Sequence, residues 1–241
     1  MISVVTFLWS KPGYRSKFTE QHVATMAKMV RRNYAGPHRF IAFTDTVKNT
    51  AHCVDDDVPY CLAPLWSDYA DVPHPMGAHN PSCFRRLRLY SNWAREAIGP
   101  RIVQIDLDMV LTGDVTPLWN APVHFAFWQD QLNPHGRVNG AMQLITPGLR
   151  DDVWSSFDPK RAAIEGRKPG QWGSDQGWLA HKFKEGTYGR FTADAGCYSW
   201  RVHCKPHGGA LPAGARVVNF HGVEDPWTLA DSVPWIKEHY R

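Results

Sequence analysis

The residues from Ile2 to Trp9 (Ile-Ser-Val-Val-Thr-Phe-Leu-Trp) are apolar at nearly every position rather than at every second one. A strand with one face in water alternates and one covered on both faces does not, so the chain opens on a central strand with layers packed on either side. After Lys11-Pro12-Gly13, Val23, Met26, Ala27 and Val30 recur at helical spacing within 18–34, and Gly36-Pro37 stops the run. His38 to Asp45 is a second apolar strand. A strand, helix, strand unit with such connections suits a parallel pair, and the fold class is therefore α/β.

Residues 46–81 contain five prolines and the acidic run Asp55-Asp56-Asp57, which predicts a long irregular loop. Phe84, Leu87, Tyr90, Ala94 and Ala97 predict one helix from Ser82 to about Ile98, ended by Gly99-Pro100. Arg101 to Asp108 reads as another buried strand. Beyond it, strands are expected over 124–130, 138–145, 198–204 and 216–220, short helices over 149–157 and 174–183, and a helical end to the Trp-rich tail.

A chain of 241 residues with 43% hydrophobic and 21% charged residues is long enough for one compact domain. Its longest apolar runs are strand-length, so no transmembrane segment is expected, and no basic region leads into an apolar core as a signal peptide requires. Five irregularly spaced cysteines offer neither a disulfide scaffold nor a zinc knuckle, and a reducing, cytoplasmic setting is the simplest expectation. The formal charge is +4 and the basic residues are dispersed, apart from Arg85, Arg86 and Arg88. That pattern speaks against a long electrostatic footprint on nucleic acid and leaves room for a local anion site.

Asp106-Leu107-Asp108 closes the strand from Arg101. On an ideal strand residues i and i+2 share a face, so the two carboxylates converge, as ligands for Mg²⁺ or Mn²⁺ bridging to phosphate do. After the apolar Val217-Val218, His221 is a competent third ligand and Gly222 lets backbone approach a phosphate. Asn139-Gly140 opens an apolar strand, Gly173-Ser174-Asp175-Gln176 opens a helix, and Arg86 is a candidate anion contact.

The order of these pieces is more specific than any one of them. An Arg-Leu-x-Leu helix, a strand ending Asp-x-Asp, Thr116-Pro117-Leu118-Trp119, an Asn-Gly strand, an Asp-Gln helix start and a late His-Gly with Pro226-Trp227 together resemble family-8 glycosyltransferases, the glycogenin and lipopolysaccharide galactosyltransferase group. The resemblance implies a single domain of GT-A type with a mixed central sheet. Its Rossmann-like nucleotide-sugar-binding half would be residues 1–120, and its acceptor and metal half 121–241. It implies a nucleotide-diphosphate sugar donor, a UDP-linked hexose, transferred with retention to a hydroxyl on a glycan or glycoconjugate, with Mn²⁺ or Mg²⁺ as cofactor. Asp106, Asp108 and His221 would hold the metal. Thr6, Arg86, Asn139, Gly140 and Gly222 would join the two aspartates around the donor, and Asp175 with Gln176 would sit beside the anomeric centre. Asp225 stands where the family places a lysine facing the diphosphate. Trp66, Trp172 and Trp227 are candidates for stacking against the acceptor, under a roof formed by 46–81 and the tail.

Three other readings compete. Asp106-Leu107-Asp108-Met109-Val110-Leu111 also resembles the nucleophile strand of haloacid-dehalogenase-type phosphatases, although there the motif normally lies near the N-terminus. A non-catalytic sugar-binding module would explain the 11 tryptophans. A hydroxylated nucleic-acid base is the alternative acceptor.

Overall fold

The computed structural model describes residues 1–9, 13, 17–47, 52–54, 60–75, 77, 80–132, 138–167 and 173–241. The opening run forms strand β1 (Ile2–Leu8), buried at all seven positions. Ile2, Val4 and Leu8 enter one core cluster while Val5 and Phe7 enter another, so the strand is covered on both faces as its unbroken apolarity requires. Helix α1 (Glu20–Asn33) begins after Thr19, whose backbone N–H donates to His22 Nδ1 at 2.8 Å. Glu20 in its first turn and Arg31 and Arg32 in its last suit the helix dipole, and Val23, Met26, Ala27 and Val30 are buried. Strand β2 (His38–Thr44) then pairs parallel to β1, from Ile2 opposite His38 to Leu8 opposite Thr44.

The stretch expected to be an irregular loop contains two strands, β3 (His52–Val54) and β4 (Tyr60–Pro64). β4 runs parallel to β2 and β3 closes the edge antiparallel to β4, with Cys53 opposite Cys61. Both are too short to show a period, and Pro64 is tolerated as the last residue of its strand. The acidic run 55–57 lies outside the described residues. Cys61 is disulfide-bonded, while Cys83, Cys197 and Cys204 are free and buried. The cysteines therefore give no support to a reducing compartment.

The single helix expected over 82–98 is two elements. A 3₁₀ segment, Cys83–Tyr90, ends at Ser91, whose Oγ accepts from the Ala94 N–H at 3.2 Å and starts α2 (Asn92–Ala97). The chain continues through β5 (Ile102–Ile105), β6 (Met109–Leu111), α3 (Thr116–Trp119), β7 (Phe125–Trp128) and β8 (Asn139–Ile145). Then come α4 (Asp152–Ser155), α5 (Pro159–Glu165), α6 (Asp175–Lys182), β9 (Gly189–Phe191) and β10 (Cys197–Ser199). The strand expected to reach Cys204 stops at Ser199, because Trp200–Cys204 winds into a π-helical turn. Strand β11 (Val217–Asn219) and helices α7 (Pro226–Leu229) and α8 (Pro234–His239) complete the chain.

The eight-stranded sheet has the order β3-β4-β2-β1-β5-β8-β7-β9. It is mixed, as expected: β1 pairs parallel to both neighbours, whereas β8 runs antiparallel to β5 and β7. From β1 the chain moves outward to β2 and then returns to the other side as β5, which makes the carboxyl ends of β1 and β5 a topological switch point. Ligand crevices in open α/β sheets form at such points. A second sheet, β10-β11-β6, braces the chain just beyond β5. Among the described residues no helix is long and apolar enough to cross a membrane.

Candidate active site

The switch point carries a crevice of about 120 Å³, lined among others by Phe7 and Trp9 from the end of β1, Arg86 from the 3₁₀ segment, and Asp106 and Asp108. β5 ends at Ile105, so the two aspartates occupy the turn between β5 and β6 rather than one face of a strand. They reach the same crevice through that turn, and not through strand alternation as expected from the sequence. The turn is tied to the second sheet by the Phe220 N–H, which donates to the Asp108 carbonyl at 3.0 Å.

Arg86 is the centre of the arrangement. Its Nη1 donates to Asp106 Oδ1 at 3.0 Å, and its Nε and Nη2 lie 2.9 and 2.8 Å from Asp175 Oδ2. Asp175 is 1% exposed, and its Oδ1 is buried with no hydrogen-bond partner among the described residues. Behind Asp106 runs a relay of neutral groups: Tyr90 Oη donates to Gln143 Oε1 at 2.5 Å, Gln143 Nε2 to Gln104 Oε1 at 2.8 Å, and Gln104 Nε2 to Asp106 Oδ1 at 2.9 Å. Asp106 keeps 35% of its side chain exposed, and loss of water around the rest still pushes its carboxyl up to about 6; Arg86 and Gln104 oppose the rise and Asp175 adds to it.

Gly140 lies beneath these groups. A Cβ there would stand 3.4 Å from Arg86 Nη2, from Gln143 Nε2 and from Gln176 Cγ, so the missing side chain admits the guanidinium and the Asp-Gln helix start together. Asn139 is turned onto its own strand, its Oδ1 accepting from the Ala141 N–H at 2.9 Å. Ser174 stands at the N-cap of α6 without a side-chain cap bond, and the Asp175 N–H lies 3.4 Å from Cys83 Sγ. Thr6 is fully buried within β1 and does not line the crevice.

His221 stands apart from the Arg86 fork. Its Nε2 lies 2.7 Å from Ser199 Oγ, and burial lowers its pKa; Asp130 acts against that shift and Arg201 with it. Among the described residues no three His, Cys, Asp or Glu side chains are grouped to hold a metal. With Asp106 Oδ1 taken by Arg86 and Gln104, and His221 Nε2 by Ser199, the expected trio does not fit a Mn²⁺ or Mg²⁺ ion as these side chains are placed.

Arg201 has no direct signature in the sequence. It is exposed on the π-helical turn, and a Cβ on Gly222, whose φ is +116°, would meet its Cδ and Nη1 at 3.1 Å. Among the described residues it has no carboxylate within ion-pair distance; nearby Glu224 accepts instead from Lys205 Nζ and Trp200 Nε1, both at 2.9 Å. The one available signal was indirect: a glycine directly after His221 with no lysine before Lys237. Of the tryptophans, Trp66 is a core residue that donates to the Arg85 carbonyl at 2.8 Å and packs on Phe43, so it is not available for stacking. Trp172 lies outside the described residues. Trp227 packs edge-on against Phe18, itself a wall of the crevice, at 5.3 Å.

No family model and no curated protein sequence matches the chain. Solved structures do match in fold. Galactosyltransferase LgtC, in complex with donor and acceptor sugar analogs, superposes with a TM-score of 0.61 at 14% identity, over 98% of this chain and 93% of that one. The glycosyltransferase GlyE of Streptococcus pneumoniae TIGR4 gives 0.60 at 11% identity, over 94% of this chain and 57% of that one. The expected fold is thus borne out: a single α/β domain with a mixed central sheet, resembling the GT-A-type fold of these glycosyltransferases.

Proposed function

We propose that this chain transfers a hexose from a uridine diphosphate sugar to a hydroxyl of a glycan or glycoconjugate, with retention at the anomeric carbon. The observation that carries the reading is the Arg86 fork between Asp106 and Asp175 at the switch-point crevice, in a fold shared with sugar transferases. Departure of the diphosphate leaves positive character on the anomeric carbon and negative charge on phosphate, so the site needs an anion at one pole and a cation at the other. Asp175 would supply the first, its Oδ1, buried beside Arg86, accepting a sugar hydroxyl once the donor uncovers it. Gln176 packs next to it over Gly140. Arg86 is already engaged by two carboxylates, and Arg201, beside Gly222 and His221, is the cation proposed for the departing phosphate. Retention has the acceptor oxygen enter on the face the phosphate leaves, where the phosphate itself is the nearest base for the acceptor's proton.

A divalent cation belongs to this proposal only if Asp106 exchanges Arg86, and His221 exchanges Ser199, for the metal. Titrating Mn²⁺ with and without UDP measures that exchange. A phosphatase reading is weakened by the same geometry, since Asp106 Oδ1 accepts from two donors and is poorly disposed as a nucleophile. The test of function is release of UDP from UDP-hexoses by the wild-type chain and by Arg201→Ala. Slower release in the variant supports the proposal, and undiminished release removes Arg201 from the phosphate pole.

A further inference from the structure

A second cleft of about 440 Å³ adjoins the first, and His74 lines both. The wall between them is thin. Cys83 faces the donor crevice and its neighbour Phe84 the second cleft, and Gly173 on the second cleft is two residues from Asp175. A molecule in this cleft therefore lies beside the segment that leads into Asp175, on the other side of the Cys83-Phe84 wall from the donor crevice. Its volume is in the range of small-ligand sites.

The chemistry of the cleft is specific. Pro75 and Phe84 give it apolar walls, and Lys160 and Arg167 give it two exposed cations. Among the described residues neither cation has a carboxylate within ion-pair distance, in contrast to Arg86, Arg88, Arg150 and Lys182, which all do. Arg167 is also positioned by the backbone. Gly173 has φ +72°, and a Cβ there would fall 3.0 Å from Arg167 Cγ, so the arginine lies directly across the glycine that leads into α6. Gly166, just before Arg167, is held by the Gly173 N–H, which donates to the Gly166 carbonyl at 3.0 Å, and by its close approach to Gly177, where a side chain would meet backbone at 2.5 Å.

We propose that this cleft is the acceptor site and that it selects a glycan bearing an anionic group, a carboxylate or a phosphate, which pairs with Lys160 and Arg167 while a sugar face covers Pro73 and Pro75. The inference rests on the transferase reading and adds to it the class of acceptor. Two cations suit one acidic substituent, whereas a nucleic-acid strand is held by many more phosphate contacts.

The test is an array of neutral, uronic-acid-containing and phosphorylated oligosaccharides, probed with the labelled full chain in the presence of UDP. Binding is expected to concentrate on the acidic glycans, to fall at least tenfold in a K160A/R167A double variant, and to persist in K160R/R167K. Preference for the uronic acids or for the phosphates identifies which anion is the partner, and either supports the proposal. Equal binding of neutral glycans, acidic binding untouched by the double variant, no glycan bound, or duplex DNA bound with a steep salt dependence would each overturn it. Both cations are exposed, and a melting curve of each variant confirms folding. Protection of the same samples by UDP-hexose separates the two claims: protection without acid preference defeats this inference alone, and acid preference without protection defeats the transferase reading.

Discussion

Arg86 and Asp175, 89 positions apart in sequence, meet through two guanidinium nitrogens on one carboxylate oxygen, at 2.9 and 2.8 Å. A third nitrogen serves Asp106. Removing the guanidinium leaves a carboxylate that is 1% exposed without its cation. Arg86→Ala is therefore expected to destabilise the fold by about 3–5 kcal/mol, the usual penalty for breaking a buried pair. Arg86→Lys should recover only part of it, because an ammonium does not reproduce the planar fork. Urea unfolding of the three proteins checks the order; a lysine variant as stable as wild type would show that the fork is dispensable.

Asp106 predicts a pH dependence. In the unfolded chain its carboxyl ionises near 3.8 and in the folded chain at about 6, so the folded state holds the extra proton between those values. The stability contributed by this group is full below the lower value, declines as pH rises through the window and is gone above the upper one. Asp106→Asn removes this decline. Relative to wild type, its urea midpoint should improve from about pH 4 to about pH 6 and level off above. A gap that shrinks as pH rises would contradict the assignment.

The start of the fold was legible in the sequence, and the reasons it was legible explain what was missed. β1, α1 and β2 carry either unbroken apolar runs or a clear helical period, and they lie within a residue or two of their expected bounds. β3 and β4 span three and five residues in a proline-rich stretch, too little to show any period. Ser91 breaks the helix over 82–98 although apolar spacing continues through it, because an N-cap restarts a helix without interrupting the pattern. At the site, the order of motifs singled out Arg86, Asp106 and Asp175, which the structure joins. It was silent on Arg201, whose place beside Gly222 arises from the parallel pairing of β10 with β11 and has no signature in local spacing.

Arg201 can be tested through its neighbour as well as directly. Arg201→Ala should weaken UDP binding about tenfold, or about 1.4 kcal/mol, while leaving uridine binding unchanged. Gly222→Ala, at φ +116° and with Arg201 3.1 Å from the new methyl, should do the same by displacing the guanidinium. Calorimetry with UDP and with uridine separates loss of a phosphate contact from general damage. Equal losses for both ligands would remove Arg201 from the phosphate pole.

Retention has its own readout. Proton NMR of the first-formed product should show the donor's anomeric configuration preserved. An inverted product would mean that a side chain acts as base on the acceptor, with Asp175 misassigned.

Whether the crevice between β1 and β5 binds a nucleotide-diphosphate sugar is decided by thermal unfolding with UDP-hexoses. A ligand at about a hundred times its Kd adds about 2.7 kcal/mol to stability, enough to raise the midpoint by several degrees. The wild-type chain should show that rise, and Arg201→Ala, binding about tenfold more weakly, should show about half of it. A midpoint unmoved by every nucleotide sugar tried would refute the donor site.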